Sequence, residues 1–592
     1  MPSWPETETP WTLDAPAIAA HHDAIRDFLA REGLDALVVT SSDPHLNEYT
    51  PLRNNHRYLL TGFTGSTALL LVPREGRARL HVDGRYHLQV DGEIDADRVE
   101  AVKVRFGSQL EANLLADLAG LERVAFDASR VSDAFADRIR AVAPAARALS
   151  GGEIAAVLGG APAPSARPLE RIPAAISGRD AAAKLAAVRA ELRAGDAIFL
   201  LAALDDLAWL TDLRGYHFAR QSSFAATGFI TSDEIHVCLD PALRDAPRPE
   251  IDPAVRLHFE PLEAVLGAEP WDERPRRVLW DRQRTTAALP DRLRAVRPEW
   301  SYEGLDRNPV VAVRARKTAA EIAHFEAMNA RSSRAVAETF RWLRRELGAG
   351  RPVSELDFRD RANENYRAEG ARDLSFSTIA ASGPDSAIIH FSASSPEVLI
   401  RPDDLVLLDS GAYYEGGFAT DITRTALAGG RAARASDRQR EIHTLVLKGF
   451  LAGIGAICPD GTPGSYFDTL CRRPLHATGQ DYAHGTGHGV GINVHEAGIG
   501  LSPTSSLPLH AGHVCSIEPG LYVPGFGGVR IENVVVFEDD PEHPGFLRNR
   551  SLNHVGIDPH LVDRDRLDER ERVLLDDYQD RCRAEGTLLE DD

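Results

Sequence analysis

Apolar positions recur at helical spacing from Ala17 to Glu32, and after a short polar break an apolar run follows from Ala36 to Thr40. The chain therefore opens with an amphipathic helix and a buried strand. The same order returns later, with a helical pattern from Asp180 to Ala194, a strand from Ala197 to Ala202, and further strands at Phe229-Ile230 and from Ile235 to Leu239. Asp35-Ala36-Leu37-Val38-Val39 and Asp196-Ala197-Ile198-Phe199-Leu200 align as echoes of each other. Either half alone fits any α/β unit; together they imply two related N-terminal domains. Gly151 to Pro173, rich in Ala, Gly and Pro, reads as the first linker. A second boundary at Val311 to Lys317 precedes a long helical pattern from Thr318 to Leu347. The expected divisions are residues 1–160, 161–316 and 317–592 of a mixed α/β (α+β) chain.

In the last third the pattern turns to hairpins. From Leu407 to Thr425, two β-like runs flank Glu415-Gly416-Gly417, a turn that supports a hairpin. The midpoint between Asp409 and Asp421 is Glu415, so an odd loop places the two carboxylates opposite each other on one face. The device repeats: Ser516-Ile517-Glu518 leads through Pro524-Gly525-Phe526-Gly527-Gly528 to Val529-Arg530-Ile531-Glu532, with its midpoint at Gly525. Arg530, two residues before Glu532, shares its strand face and suits a partner for a ligating carboxylate.

Composition narrows the function class. A chain of 592 residues exceeds one core, and 43% hydrophobic content is ample for globular packing. A formal charge of −21 argues against nucleic acid or an anionic membrane as main partner and mildly favours cationic peptides. No apolar run approaches the roughly 18 residues of a membrane span. The N-terminus, Met1-Pro2-Ser3-Trp4-Pro5-Glu6-Thr7-Glu8, is acidic and proline-rich, unlike a secretory signal. Cys238, Cys458, Cys471, Cys515 and Cys582 are scattered, odd in number and without CxxC, as expected of free thiols in a reducing cytoplasm.

An aspartate at a strand end is ordinarily a solvated turn residue, so the segment between the hairpins carries weight. His484-Gly485-Thr486-Gly487-His488-Gly489-Val490-Gly491-Ile492-Asn493-Val494-His495-Glu496 sets three histidines among alternating glycines. That pattern excludes a helical zinc motif, and it lacks the βαβ context of a dinucleotide loop. Close approach of backbone to a metal or substrate accounts for it. Asp409, Asp421, His488, Glu518 and Glu532 then supply four carboxylates and one imidazole. This donor set favours Mn²⁺, Co²⁺ or Fe²⁺ over thiolate-loving metals. Two such ions roughly 3.5–4 Å apart share a water and generate hydroxide at neutral pH, which points to a dinuclear metallohydrolase.

The order Asp, Asp, His, Glu, Glu in LDSGAYY, TDITRT, HGTGHGVG, NVHE, IEPG and RIENV resembles the pita-bread metallopeptidases, and most closely the Xaa-Pro aminopeptidases. Ser42-Asp43-Pro44-His45-Leu46-Asn47-Glu48-Tyr49, Tyr58 to Ser66 and Asp83-Gly84-Arg85-Tyr86 are similar to the N-terminal domain of their long, three-domain form. Leu204 to Gly215 resembles its middle domain. The resemblance implies two creatinase-like N-terminal domains before a pita-bread catalytic domain, and two divalent ions, Mn²⁺ first and Co²⁺, Fe²⁺ or Zn²⁺ as alternatives. It implies that Asp409 binds one ion and His488 the other, with Asp421, Glu518 and Glu532 contacting or bridging them. Glu518 is also the implied proton shuttle. His390, in Ala387-Ile388-Ile389-His390-Phe391, and His495 match catalytic histidines that donate to the oxyanion or the scissile carbonyl. His484 matches a histidine lining the substrate pocket, and Arg85 a substrate-binding arginine, supplied by this subunit or its neighbour. The implied protein is a cytoplasmic homodimer acting on peptides with proline in second place. A prolidase-like dipeptidase and a metal-free pita-bread binding module are the alternatives.

Three departures stand out. The resembled pattern has one residue fewer between the two aspartates, so the Glu-Gly-Gly turn holds an insertion. If the parity argument holds, a longer loop or a bulge absorbs it without turning Asp421 away. Between His488 and His495 the long form carries two more residues, which leaves the placement of His495 open. Tyr216-His217-Phe218-Ala219-Arg220-Gln221 replaces a segment that reads Asp-Ile-Pro-Tyr-Asn-Pro, so substrate reach or subunit contacts differ there.

Overall fold

The computed structural model describes residues 12–159, 167–268 and 276–590. Met1 to Glu8, read above as unlike a secretory signal, lies outside the described residues. Helix α1 (Ala15–Arg31) starts at Asp14, whose carboxylate accepts from the backbone of Ala17 at 2.9 Å. Asp is a favoured cap because it satisfies an amide the helix leaves unpaired.

The first sheet contains β1 (Ala36–Thr40), β2 (Leu69–Pro73), β3 (Ala78–Val82), β4 (Val99–Lys103), β5 (Val124–Asp127) and β6 (Arg147–Leu149), in the order β4-β3-β2-β1-β5-β6. The second contains β7 (Ile198–Leu201), β8 (Ala226–Ile230), β9 (Ile235–Leu239), β10 (Val255–His258), β11 (Arg277–Asp281) and β12 (Ser301–Leu305), in the order β10-β9-β8-β7-β11-β12. Order and pairing direction correspond strand for strand. β1 and β7 each lie between an antiparallel and a parallel neighbour. The sequence echo at Asp35 and Asp196 therefore marks the equivalent inner strand of two copies of one fold. Helices α2 (Ala181–Leu192) and α3 (Leu204–Thr211) flank β7 along the chain.

Two connecting segments differ from their sequence reading. Gly151–Leu158, read as linker, is a helix, because Ser150 and Glu153 cap it reciprocally while Ile154 and Leu158 bury against the first sheet's core. Its small residues had masked that start signal. Glu170–Arg171 then pairs with Leu213–Arg214, and residues 160–166 of the segment lie outside the described residues. The second boundary holds a short helix, α4 (Pro309–Arg314), capped by Asn308. Thr318 then opens α5 (Ala319–Gly348) with a capping box to Glu321, one residue from where the apolar period placed it.

Beyond α5 come α6 (Glu355–Ala368), β13 (Ile379–Ser382), β14 (Leu405–Ser410), β15 (Ile422–Leu427), α7 (Asp437–Ile454), β16 (Ile457–Pro459) and α8 (Gly464–His476). These are followed by β17 (Gly487–Gly489), β18 (Glu496–Leu501), β19 (Val514–Ile517), β20 (Gly520–Val523), β21 (Gly527–Arg530), β22 (Asn533–Asp539), β23 (Phe546–Ser551) and α9 (Glu569–Glu585). The sheets run β13-β14-β15, β16-β23-β22-β19-β17-β18 and β20-β21. Helices α5 and α6 pack as a pair with α6 against β13, and α7 and α8 pack as a pair with α8 against β18. One apolar core runs from Leu207 and Trp209 of the second sheet's unit to Phe325, Phe418 and Val490 of the last. The cores on the first sheet's two faces are separate from it. All five cysteines are buried and unpaired. No helix among the described residues is long and apolar enough to cross a membrane.

Candidate metal centre

β14 and β15 pair antiparallel with Asp409 opposite Thr423, and the register continues through Tyr413 and Ala419. The hairpin midpoint is therefore Gly416, not Glu415. Gly416 and Gly417 take φ of +89° and +65°, the left-handed region open to glycine. Asp421 consequently stands opposite Gly411 and diagonal to Asp409. The expected face-to-face placement is corrected to a two-position offset, and because the side-chain period is two, both carboxylates stay on one side. The second hairpin keeps its expected register: Ile517 pairs with Asn533 and Gly520 with Arg530, which puts Glu518 opposite Glu532 about Gly525.

β17 carries His488 between these hairpins. Its Nδ1 lies 3.2 Å from the Gly489 carbonyl, so that nitrogen holds the proton and the Nε2 lone pair is presented to the carboxylates. Nε2 is 3.5 Å from Asp421 Oδ2 and 3.5 Å from Glu518 Oε1. Donor atoms of Asp421, His488 and Glu532 all lie within 4.8 Å of one another. Asp409 completes the set: its Oδ2 accepts from Arg530 Nη2 at 2.5 Å, while its Oδ1 is buried without a hydrogen-bond partner. Thr423 Oγ1 donates to Glu532 Oε2 at 2.6 Å and accepts from Arg530 Nε at 3.2 Å.

The electrostatics of this cluster are those of a cation site. Burial, and then the charges of Glu532 and Asp409, holds the Asp421 carboxyl well above its ordinary range. Burial, Glu518 and Asp409 do the same to Glu532. Burial carries Glu518 to about 7, and it lowers His488 to about 3, keeping the imidazole neutral. Divalent cations relieve such repulsion and would take up the orphaned Asp409 oxygen. The residues fit a hard divalent metal centre.

The other sequence-chosen residues surround it. Arg85, His390, His484 and His495 line the same cavity as the five donors, a cleft of ≈ 1120 Å³. Arg85 is held by Asp83 through Nε at 2.8 Å and Nη2 at 2.7 Å. It reaches the cleft of its own chain, so no neighbouring subunit is needed to supply it. His390 Nδ1 meets Tyr86 OH at 3.0 Å. His484 Nε2 meets Tyr522 OH at 2.9 Å, and Tyr522 also accepts from Arg530 Nη1 at 2.8 Å. Burial, followed by Arg85 and Arg530 for His390 and by Arg530 for His484, holds both histidines well below their usual value and neutral. Despite the shorter spacing, His495 lies in the cleft, its ring centroid 4.3 Å from that of His488.

The chain matches metallopeptidase family M24 over residues 323–539. It matches the creatinase/prolidase N-terminal domain twice, over residues 22–157 and 160–321. It is 32% identical to the probable Xaa-Pro aminopeptidase P of Coprinopsis cinerea, with 96% of this chain and 95% of that one covered. The chain belongs to the Xaa-Pro aminopeptidase P family. Another member, from Chaetomium globosum, is 31% identical with 93% of each chain covered. Among solved structures, the X-prolyl aminopeptidase of Caenorhabditis elegans, a cytosolic enzyme with a di-nuclear active site, superposes with a TM-score of 0.84 at 26% identity, covering 96% of both chains. The Xaa-Pro dipeptidase of Bacillus anthracis, at TM-score 0.51 and 26% identity, covers only 64% of this chain though 99% of its own.

The Glu415-Gly416-Gly417 turn and the Tyr216–Gln221 region, two segments set apart in the sequence, touch each other. The turn packs on the loop: Tyr216 OH donates to the Tyr414 carbonyl at 3.4 Å, and neighbouring Ser222 donates to that of Gly417 at 2.5 Å. Sequence reasoning had not singled out Glu48, Tyr86, Tyr522 or Thr423. Each belongs to a quoted motif or stands within a few residues of one, but their pairing across the fold leaves no trace in local spacing.

Proposed function

We propose that this protein is a metal-dependent aminopeptidase that hydrolyses the Xaa-Pro bond at peptide N-termini. The observation that carries the reading is the joint wall of the cleft. His390 and His495 face the five-donor cluster, and each is anchored by a side chain of the first sheet's unit, Tyr86 and Glu48. A metallohydrolase without that unit would lack both anchors.

Asp409, Asp421, His488, Glu518 and Glu532 would hold two divalent ions; their hard oxygen donors suit Mn²⁺, Co²⁺ or Fe²⁺, and the family resemblance puts Mn²⁺ first, with Zn²⁺ as a further alternative. When bound, such a pair supplies Lewis acidity and an activated water at neutral pH. The chain's own residues supply the rest. Tyr86 donates to His390 Nδ1, leaving Nε2–H to donate to the scissile carbonyl. His495, its Nδ1 bound to Glu48, presents its other nitrogen to the developing oxyanion. Glu518 takes the proton lost by the attacking water and delivers it to the proline nitrogen. That proton lets the proline nitrogen leave as a secondary amine when the C–N bond breaks. Arg85 and His484 bind the peptide along the walls.

The cleft is large for a dipeptide and exceeds the roughly 300–1,000 Å³ of ordinary ligand pockets. It extends past the metal cluster to Arg53, Arg359 and Arg367, which favours longer peptides over a prolidase reading. We further propose domain boundaries near residues 160 and 316, a cytoplasmic site of action and a homodimer. The deciding experiment compares Xaa-Pro with Xaa-Pro-Yaa hydrolysis at added Mn²⁺, with Asp421→Asn as control. Dipeptide-only activity would make the protein a prolidase. Absence of any bound or activating metal in folded protein would make it a binding module.

A further inference from the structure

The chain around His495 is held from two directions. Its ring is tied to Glu48, and the residue after it, Glu496, is buried with its Oε1 accepting from the backbone of Ile492 at 3.1 Å. Gly491 approaches so closely that a Cβ there would sit 1.7 Å from the same oxygen. The loop that presents His495 is therefore folded around the Glu496 carboxylate.

That carboxylate also faces away from the cleft. Lys317 pairs with its Oε2, and Arg314 Nε lies 3.5 Å from its Oε1. Arg314, at the end of α4, is fully buried and reaches Asp205 Oδ2 at 2.8 Å and Asp206 Oδ1 at 3.0 Å, both in the first turn of α3. Arg284 pairs with both aspartates, and Asn308 donates to Asp206 Oδ2 at 2.8 Å. Asp205, Asp206 and Glu496 thus balance Arg284, Arg314 and Lys317 in a neutral network that is almost wholly out of water. Buried ionic networks add little net stability over apolar packing, yet a broken one is costly, so they hold elements in one geometry. α4 is also seated sterically: a Cβ at Gly498 of β18 would meet Val311 and Ala315, each at 2.9 Å.

We infer that Glu496 and Arg314 are positioning residues for His495, through which the second sheet's unit, by way of Asp205 and Asp206, sets the place of that imidazole in the cleft. The inference rests on the role given to His495 in the proposed function. The link gives the middle unit a task in the reaction beyond placing Ala219 and Arg220 in the cleft wall.

The test uses the full-length protein and its Glu496→Gln and Asp205→Asn variants, with an Xaa-Pro-Yaa tripeptide and Mn²⁺. Asp205 pairs with Arg284 and Arg314 and is not among the residues lining the cleft. Both variants are expected to lose about 10-fold or more in kcat, with KM changed less than about threefold and bound metal unchanged. The double variant should be no worse than the more severe single. A second readout needs no turnover: diethyl pyrocarbonate modification of His495, followed by peptide mass spectrometry, should quicken in both variants while that of His484 does not. Asp205→Asn with kcat within about twofold of the parent and an unchanged His495 rate overturns the inference. If Glu496→Gln does not fold, Asp205→Asn alone decides. If the parent protein itself fails to cleave the tripeptide, the proposed function falls and the modification rates still decide the link.

Discussion

Glu48 Oε2 lies 2.7 Å from His495 Nδ1, joining an acid of the first sheet's unit to an imidazole 447 positions away. Burial is the largest influence and opposes both charges, but His495 with Arg85 and His390 together drive Glu48 down to about 2, and Glu48 with Glu518 raises His495 above its usual value. The pair fixes the ring's orientation in the cleft. Glu48→Gln keeps the size and one acceptor but releases the charge. It should lower kcat on an Xaa-Pro-Yaa peptide on the order of 10²-fold, as expected for a misplaced catalytic group, while metal content stays unchanged. Full activity in Glu48→Gln would remove the pair from the mechanism.

The metal cluster makes a separate prediction. Asp421→Asn should lower bound Mn²⁺ from about two ions per chain to about one and abolish turnover. Thr423→Val touches no ion, yet it removes the donor to Glu532 and the acceptor for Arg530. Loss of such an outer partner commonly costs 10- to 100-fold in metal affinity. Mn²⁺ titration of chelator-stripped protein should show weakening in that range for Thr423→Val with its unfolding temperature retained. Unchanged affinity would mean that Glu532 needs no orientation from Thr423.

Local periodicity carried most of the fold. The echo of Asp35 at Asp196 fell on matching strands because both units bury the same inner strand, and the helix after Thr318 was legible because its apolar period runs for thirty residues. What stayed hidden depends on long-range register. Glu415 and Gly416 are equally good turn centres in sequence, and only the pairing of Asp409 with Thr423 selects Gly416. Gly151–Leu158 passed for a linker because Gly and Ala lack side chains that announce burial. Glu48, Tyr86 and Tyr522 acquire meaning only when the sheets meet, so no spacing rule reaches them.

Glu355 offers a pH prediction away from the metal cluster. Its side chain is fully buried and accepts from the Ser382 backbone at 2.7 Å, and burial raises its carboxyl from 4.5 to about 7. Above pH 4.5 the unfolded chain releases this proton while the folded chain keeps it. The acid's contribution to stability is therefore present below pH 4.5 and lost as pH rises to about 7. By the usual conversion the loss is about 3 kcal/mol. Glu355→Gln cannot ionise, so its unfolding temperature should fall less than the parent's between pH 4.5 and 8. Parallel curves would show that Glu355 stays charged, or is hydrated, in the native state.

Gly411 tests whether the first hairpin's register places the carboxylates. It stands opposite Asp421, and a Cβ there would lie 1.9 Å from the Thr420 carbonyl and 2.4 Å from Ser375 Oγ. The carbonyl is backbone within a paired ladder, where Thr420 N also donates to the Ala412 carbonyl at 3.0 Å, so it has nowhere to retreat. Gly411→Ala must push the two strands apart, at about 1–3 kcal/mol for an overpacked interior. The displacement moves Asp421 relative to Asp409. Gly461→Ala, at a glycine with φ of +83° and open space around it, is the control for a generic glycine effect. Gly411→Ala should lose both stability and bound Mn²⁺, whereas the control should lose stability alone. A Gly411→Ala protein that holds its full metal complement would show that Asp421 is placed by the network around it, through Asn553 donating to its carbonyl at 2.9 Å, and not by the hairpin.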